Sequence, residues 1–245
     1  MSQWPQIRPV GVTGLLVSFG DSLTDRANRA ALAFRASLEA ERWAEVAETS
    51  STLASCFVRF DPVTTDPEAL EARLAGLLGA RDWYGAAPPE GRKLWRIPCT
   101  FGGARAPQLA EAAEQAGLSL PDAITQLSTT RVRVLTLGFA PGQPYLGTLP
   151  EAWDLPRQTG LTPKVPEGAL VLAIRQFVLF ATSAPTGWRH VGQTAFRGYR
   201  PEAETPFALR PGDEIVFPAV DEATYLSRCE ADPSGLGGAT SEPLS

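Results

Sequence analysis

Apolar positions change their rhythm along this chain. In the first third, short apolar runs alternate with stretches in which apolar residues recur every three or four positions. GLLVSFG (14–20) reads as a buried strand closed by Gly20. Ala27, Ala31, Phe34 and Leu38 then share one stripe of a helix that Thr24 caps and that runs to roughly Glu48. SCFVRFD (55–61) predicts a second strand, stopped at Asp61-Pro62, and Asp66-Pro67 opens another helix with Leu70, Leu74, Leu77 and Leu78 inward. LWRIPCTF (94–101) is a third strand, so this part reads as an α/β domain with crossover connections. GAAPPEGR (85–92) reads as a surface loop.

Two short helices follow, with Pro107 and Pro121 near their starts and Ser119 as the cap of the second. RVRVLTLGF (131–139) alternates apolar and other residues and returns to strand. From 140 to 220 the helical period is gone, and Pro and Gly punctuate short apolar runs such as ALVLAI, QFVLFAT and EIVFPAV. That pattern predicts an antiparallel barrel or sandwich. After Val220 the chain turns polar and Gly-rich, which predicts a flexible tail. The fold class expected is α+β: an N-terminal α/β domain over 1–95, a β-barrel domain with leading helices over 96–220, and a tail over 221–245.

Composition narrows the function classes. The chain has 245 residues, 44% hydrophobic and 20% charged, with a net charge of −5. Nothing in that balance points to nucleic acid. Cys56, Cys99 and Cys229 are too scattered for a disulfide framework or a zinc site, so reduced thiols are expected. No basic segment followed by an apolar run opens the chain and no apolar run approaches a membrane span, so a cytoplasmic protein without membrane contact is expected.

The candidate chemistry is sparse. His190 is the only histidine, which rules out multi-His metal sites and leaves one outside candidate for proton transfer; no metal site is expected. No GxxxxGK[ST] loop, GxGxxG turn or GxSxG elbow occurs. GFAPGQPYLGTL (138–149) is the most unusual stretch, with three glycines, two prolines and two aromatics directly after a strand. A loop that lets backbone or ligand approach closely has this composition. Arg157, beside Pro156 in DLPRQTG, suits a carboxylate or phosphate held by two parallel hydrogen bonds, or a salt bridge at a rim. Trp188, Tyr145 and Phe139 are either barrel core or the wall of a pocket.

Those loops resemble the 5-oxoprolinase B-subunit (PxpB) family, also called KipI-like or allophanate hydrolase subunit 1. GFAPGQPYLGTL is similar to its GF-x-PGF-x-YL signature. LPRQ (155–158), VPEGAL (165–170), AIRQ (173–176), SAPTGWRHVGQT (183–194) and ALRPGDEIVF (208–217) continue the agreement in order. VSFGD, the Asn28 helix, FVRFDP (57–62) and IPCTFGG (97–103) extend it upstream, so it covers roughly 14–220. The resemblance implies a carboxyltransferase-type domain whose barrel has cyclophilin-like topology. It implies a hetero-oligomeric hydrolase that opens the lactam of 5-oxoproline to glutamate with ATP. The partners it implies are the KipA-like and the LamB/YcsF-like components of 5-oxoprolinase, with ATP bound by the complex and not by a P-loop here. The ligand-binding residues it implies are Phe139, Gly142, Gln143, Tyr145, Arg157, Gln176, Trp188 and Gln193.

Several positions depart from the family pattern. GGARAPQL places Ala104 and Gln108 where the family has Glu and Asp, and Ser128 stands in place of a His. Leu161-Thr162 replaces a second Pro-Arg, Phe177 a Thr, Gln143 a Phe and Gln193 an Arg. Lactam chemistry needs a polarised carbonyl and a positioned acid or base. The losses therefore leave open an alternative, a catalytically weakened regulatory protein such as a KipI-type inhibitor of a histidine kinase.

Overall fold

The computed structural model describes residues 4–244. The chain divides into two units, Met1–Glu90 and Gly91–Ser245.

In the first unit, β1 (Gln6–Val10) and β2 (Gly14–Ser18) form a hairpin, α1 spans Asp25–Glu41, β3 (Glu48–Ser51) and β4 (Ser55–Arg59) form a second hairpin, and α2 spans Pro67–Gly79. The caps are those the sequence predicts. Thr24 accepts the Ala27 N–H at 3.1 Å, and Asp66 accepts the Glu68 N–H at 3.0 Å with Pro67 in the first turn. The expected crossover takes a split form. The sheet order is β1-β2-β4-β3 with every neighbour antiparallel, so β2 and β3 run parallel with β4 inserted between them. The first helix also stops short of the expected Glu48. Arg42 turns left-handed at φ 51° and ends it, which frees β3 to pair with β4 and lets Trp43 bury. Phe19, Phe34, Leu38, Val58, Leu70 and Leu74 fill the core between sheet and helices.

The second unit begins with β5 (Lys93–Arg96) and β6 (Cys99–Thr100), two pieces of one extended stretch interrupted at Ile97-Pro98. α3 (Leu109–Gln115) and α4 (Leu120–Thr129) follow, and then β7 (Val132–Leu137), β8 (Pro144–Gly147), β9 (Thr162–Val165), β10 (Ala169–Ala173) and β11 (Gln176–Leu179). β12 (Ala184–Thr186), β13 (Arg189–Thr194) and β14 (Glu214–Val216) complete the run before α5 (Glu222–Ala231) and β15 (Thr240–Pro243). The curled nine-stranded sheet has the order β15-β5-β14-β7-β8-β11-β10-β13-β6. β5 pairs with β14 on one side of the sheet while β6 pairs with β13 at the opposite end, so the single stretch 93–100 links the two sides and curls the sheet into a barrel, with β15 added outside β5. This is the α+β class with a β-rich second half that the sequence predicts.

Alternation on β10 divides its side chains between two cores. Leu170 and Leu172 join Leu146, Phe177, Val191 and Phe217 in the main core, while Ala169, Val171 and Ala173 join Val165, Val178, Phe180 and Trp188 in the other. All five residues of the strand are buried, which is why ALVLA reads as an unbroken apolar run.

Two expectations are corrected here. The break between units falls at Glu90–Gly91, not after residue 95, because β5 belongs to the barrel. Residues 221–245 are not a flexible tail over their described length. Asp221 caps α5 by accepting the Thr224 N–H at 2.8 Å, Tyr225 is buried, and β15 pairs antiparallel with β5. The polar composition is misleading because an edge strand is held by main-chain bonds, to which side-chain polarity is nearly indifferent.

Candidate functional site

A groove of about 670 Å³ opens on the second unit between α3 and the turn 156–163. Its floor is built on the start of β13. At Gln193 and Thr194 that strand pairs with β6, but at His190 its edge meets Gln108 instead, at the N-terminus of α3. Next to it, the Arg189 side chain is 5% exposed and doubly anchored, with Nε donating to Glu111 at 3.1 Å and Nη1 to the Pro156 carbonyl at 2.6 Å. Gln158 donates from its backbone N–H to the Gly187 carbonyl and from its side chain to the Trp188 carbonyl.

Of the residues the sequence points to, Arg157 alone lines this groove, with Trp188 and Tyr145 packed in turn behind it. Arg157 lines the groove, and its guanidinium carbon stands 5.4 Å from the Trp188 ring centroid. Trp188 in turn meets Tyr145 edge-on, with centroids 6.3 Å apart and planes at 80°. Arg157 is exposed, and neither a carboxylate nor a hydrogen-bond acceptor engages its guanidinium among the described residues. The groove thus offers one uncommitted cation on an aromatic support, the arrangement that binds an anion with a planar guanidinium.

The other predicted residues lie elsewhere. Phe139 is 76% exposed on the loop after β7, with a positive φ of 71°. Gly142 faces the backbone of Gly198, so the small residues of GFAPGQPYLGTL serve a close approach of two loops and not the wall of this groove. Gln143 is buried and accepts the Ala181 N–H at 3.3 Å, bracing the loop. Gln176 is buried at the start of β11, opposite Gly147. His190 does not line the groove; its main chain pairs with Gln108, which does, and its imidazole is buried beside the Gln193 amide. Burial holds the imidazole pKa below 6.5, with the Gly192 backbone and Gln193 pulling weakly the other way. Gln193 donates to the Glu167 and Thr194 carbonyls.

Glu111, Gln158 and Arg189 also line the groove; Gln158 and Arg189 fall inside the family-like segments 155–158 and 183–194, but none of the three stands out there as a site residue. Glu111 reads as any solvated residue of a helix, and Arg189 stands beside the more conspicuous His190. ATP does not fit here. Arg189 is already committed to Glu111, leaving Arg157 as the one uncommitted cation among the described residues that line the groove, too little to offset a triphosphate. Among the described residues no three His, Cys, Asp or Glu side chains converge as metal ligands, and no helix is long and apolar enough to cross a membrane.

Fold and groove together define the class: a split-sheet α/β unit followed by a curled β-barrel unit with a lateral groove that carries one uncommitted arginine. The chain belongs to the family described as carboxyltransferase domain, subdomain C and D, whose model matches residues 5–209. It is similar to the 5-oxoprolinase B-subunit of Bacillus subtilis (strain 168), 28% identical over 234 residues that cover 90% of this chain and 95% of that one. Among solved structures it is similar to TTHA0988, at a TM-score of 0.72 and 29% identity over 88% of this chain; that match spans only 40% of TTHA0988. The urea amidolyase of K. lactis shares the fold at a TM-score of 0.76, with 16% identity over 98% of this chain and 16% of that protein.

Proposed function

We propose that the chain is one component of an ATP-dependent 5-oxoprolinase-type complex. The observation that carries this reading is the match to the Bacillus subtilis 5-oxoprolinase B-subunit over 95% of its length. In this reading a KipA-like protein and a LamB/YcsF-like protein complete the complex, in the cytoplasm. In the overall reaction the lactam C–N bond of 5-oxoproline breaks, water supplies a hydroxyl to the carbonyl carbon and a proton to the nitrogen, and ATP hydrolysis in the complex drives the opening.

This chain's own part is binding. Arg157, supported by the Trp188 ring behind it, receives the ring carboxylate, while the Gln108 and Gln158 amides bound the space beside it. Glu111 is the one carboxylate among the described residues that line the groove and Arg189 holds it, so the chain has no free acid–base pair there for ring opening. That same observation favours a second reading, a regulatory protein that binds ligand or partner without turnover.

Mixing decides between them. The purified chain alone should form no glutamate from 5-oxoproline and ATP, and the three-component mixture should form it. Arg157→Ala should then weaken 5-oxoproline binding by about 1.5–3 kcal/mol, the range for a charge-assisted hydrogen bond, while leaving the melting curve unchanged. A three-component mixture that binds 5-oxoproline but never opens it would support the regulatory reading, and turnover by the single chain would sink both.

A further inference from the structure

The groove floor carries a relay of two side-chain amides whose polarity is dictated by backbone groups at both ends. The His190 N–H donates to Gln108 Oε1 at 2.7 Å, and a main-chain N–H can only donate. The oxygen of the Gln108 amide therefore faces the strand, and Nε2 faces outward to Gln158 Oε1 at 2.6 Å. At the far end, Gln158 Nε2 donates to the Trp188 carbonyl at 3.1 Å, and a carbonyl can only accept. Neither amide can turn over without setting like against like. The chain gives up something for this. Gln108 occupies the N-cap of α3, where a short side chain would satisfy the first turn, and makes no capping bond. A locally poor choice that satisfies a longer-range network marks a functional position.

We infer that Gln108 is the positioning and specificity-determining residue of the groove, an inference that rests on reading the groove as a ligand site. Its amide fixes Gln158, and so holds the turn that carries Arg157 against Trp188. Its neutrality also sets the charge. The charged groups lining the groove are Arg157, Arg189 and Glu111, a surplus of one positive charge that selects a ligand with a single negative one. A carboxylate at position 108 would lose both properties. It has no donor for Gln158 Oε1, and turning Gln158 over would put its oxygen against the Trp188 carbonyl.

The experiment uses the full chain and two variants, Gln108→Glu and Gln158→Leu. Amide hydrogen exchange of the segment 156–163 is read by mass spectrometry against the parent at the same pH. Both variants should exchange faster there at about pH 8. Gln108→Glu should return toward the parent at about pH 3.5, below the ordinary glutamate pKa, because a protonated carboxyl restores one donor and one acceptor, whereas Gln158→Leu should not recover. In parallel, calorimetry compares 5-oxoproline with its uncharged carboxamide. The parent should prefer the acid by about tenfold or more, and Gln108→Glu should erase most of that preference at the higher pH. Parent-like exchange at 156–163 in the variants overturns the positioning role, and Gln158→Leu answers alone if Gln108→Glu does not fold. Faster exchange with neither probe bound by the parent supports positioning, overturns the specificity claim, and removes the groove as the ligand site proposed above.

Discussion

Gly142 and Gly198 stand backbone to backbone. A Cβ on Gly142 would lie 2.9 Å from the Gly198 carbonyl oxygen, and a Cβ on Gly198 would lie 2.8 Å from that of Gly142. Gly142 also has a φ of 70°. Gly142→Ala therefore combines a left-handed backbone with a contact that no rotamer can relieve. We expect it to cost about 2 kcal/mol or more, measured by urea unfolding. A cost of a few tenths would mean that the two loops separate freely.

The C-terminal segment should matter to stability. Ending the chain after Glu222 removes buried Tyr225 and the pairing of β15 with β5. The loss of a buried aromatic alone is worth about 3 kcal/mol. For a domain of this size that shifts the melting temperature by about 6–12 °C. A truncated chain that melts with the parent would show that α5 and β15 are dispensable.

Thiol reactivity should separate the three cysteines. Cys56 and Cys99 are buried in apolar cores; burial pushes the Cys56 thiol up to about 12 and the Cys99 thiol up as well, against weak opposing effects of Arg35 on the first and the Gln193 N–H on the second. Cys229 is exposed on α5. Since the thiolate is the reacting form, a chromogenic disulfide should titrate one thiol rapidly in the native protein and all three in denaturant. Rapid reaction of a second native thiol would contradict the packing around β4 or β6.

His190 offers an acid-side signature. Burial lowers its folded-state pKa below 6.5, so the unfolded chain binds its proton more readily. Stability from this source is complete above pH 6.5 and falls as the pH drops through 6.5 toward the lowered folded value. The carboxylates held low mainly by hydrogen bonds, Glu202, Asp221 and Asp232, act at more acidic pH, as it falls through their ordinary 4.5 and 3.8. His190→Gln should flatten the stability profile between about pH 5 and 6.5. The single imidazole can also be titrated directly by NMR, and an apparent pKa at or above 6.5 would refute the assignment.

Local signals carry much of the fold. Thr24, Asp66 and Ser119 each cap the helix that the sequence assigns to them, because a cap is a bond across two or three residues and needs no tertiary information. β3 is invisible in sequence because Glu48–Ser51 has no apolar alternation of its own and exists by pairing with β4. β15 is hidden for the same reason. At the groove, Arg157 and Trp188 are conspicuous as residue types, but Gln108 acquires its role from Gln158 and the edge of β13, partners 50 and 82 residues away. No window of sequence contains that arrangement.

The closure of the barrel through the stretch 93–100 sets an order of events during synthesis. Lys93 and Asp213, joined at 2.8 Å beside the β5–β14 pairing, are 120 residues apart. A ribosome that has just released β5 must add nearly the whole second unit before β14 can meet it. Until then β5 presents an unpaired edge to solvent or to a chaperone, while the hairpins β7–β8 and β10–β11 can already zip locally. Closing so long a loop is entropically slow. Refolding of the second unit should therefore be limited by the meeting of its two ends, and the nascent chain is most prone to self-association just before residue 216 emerges.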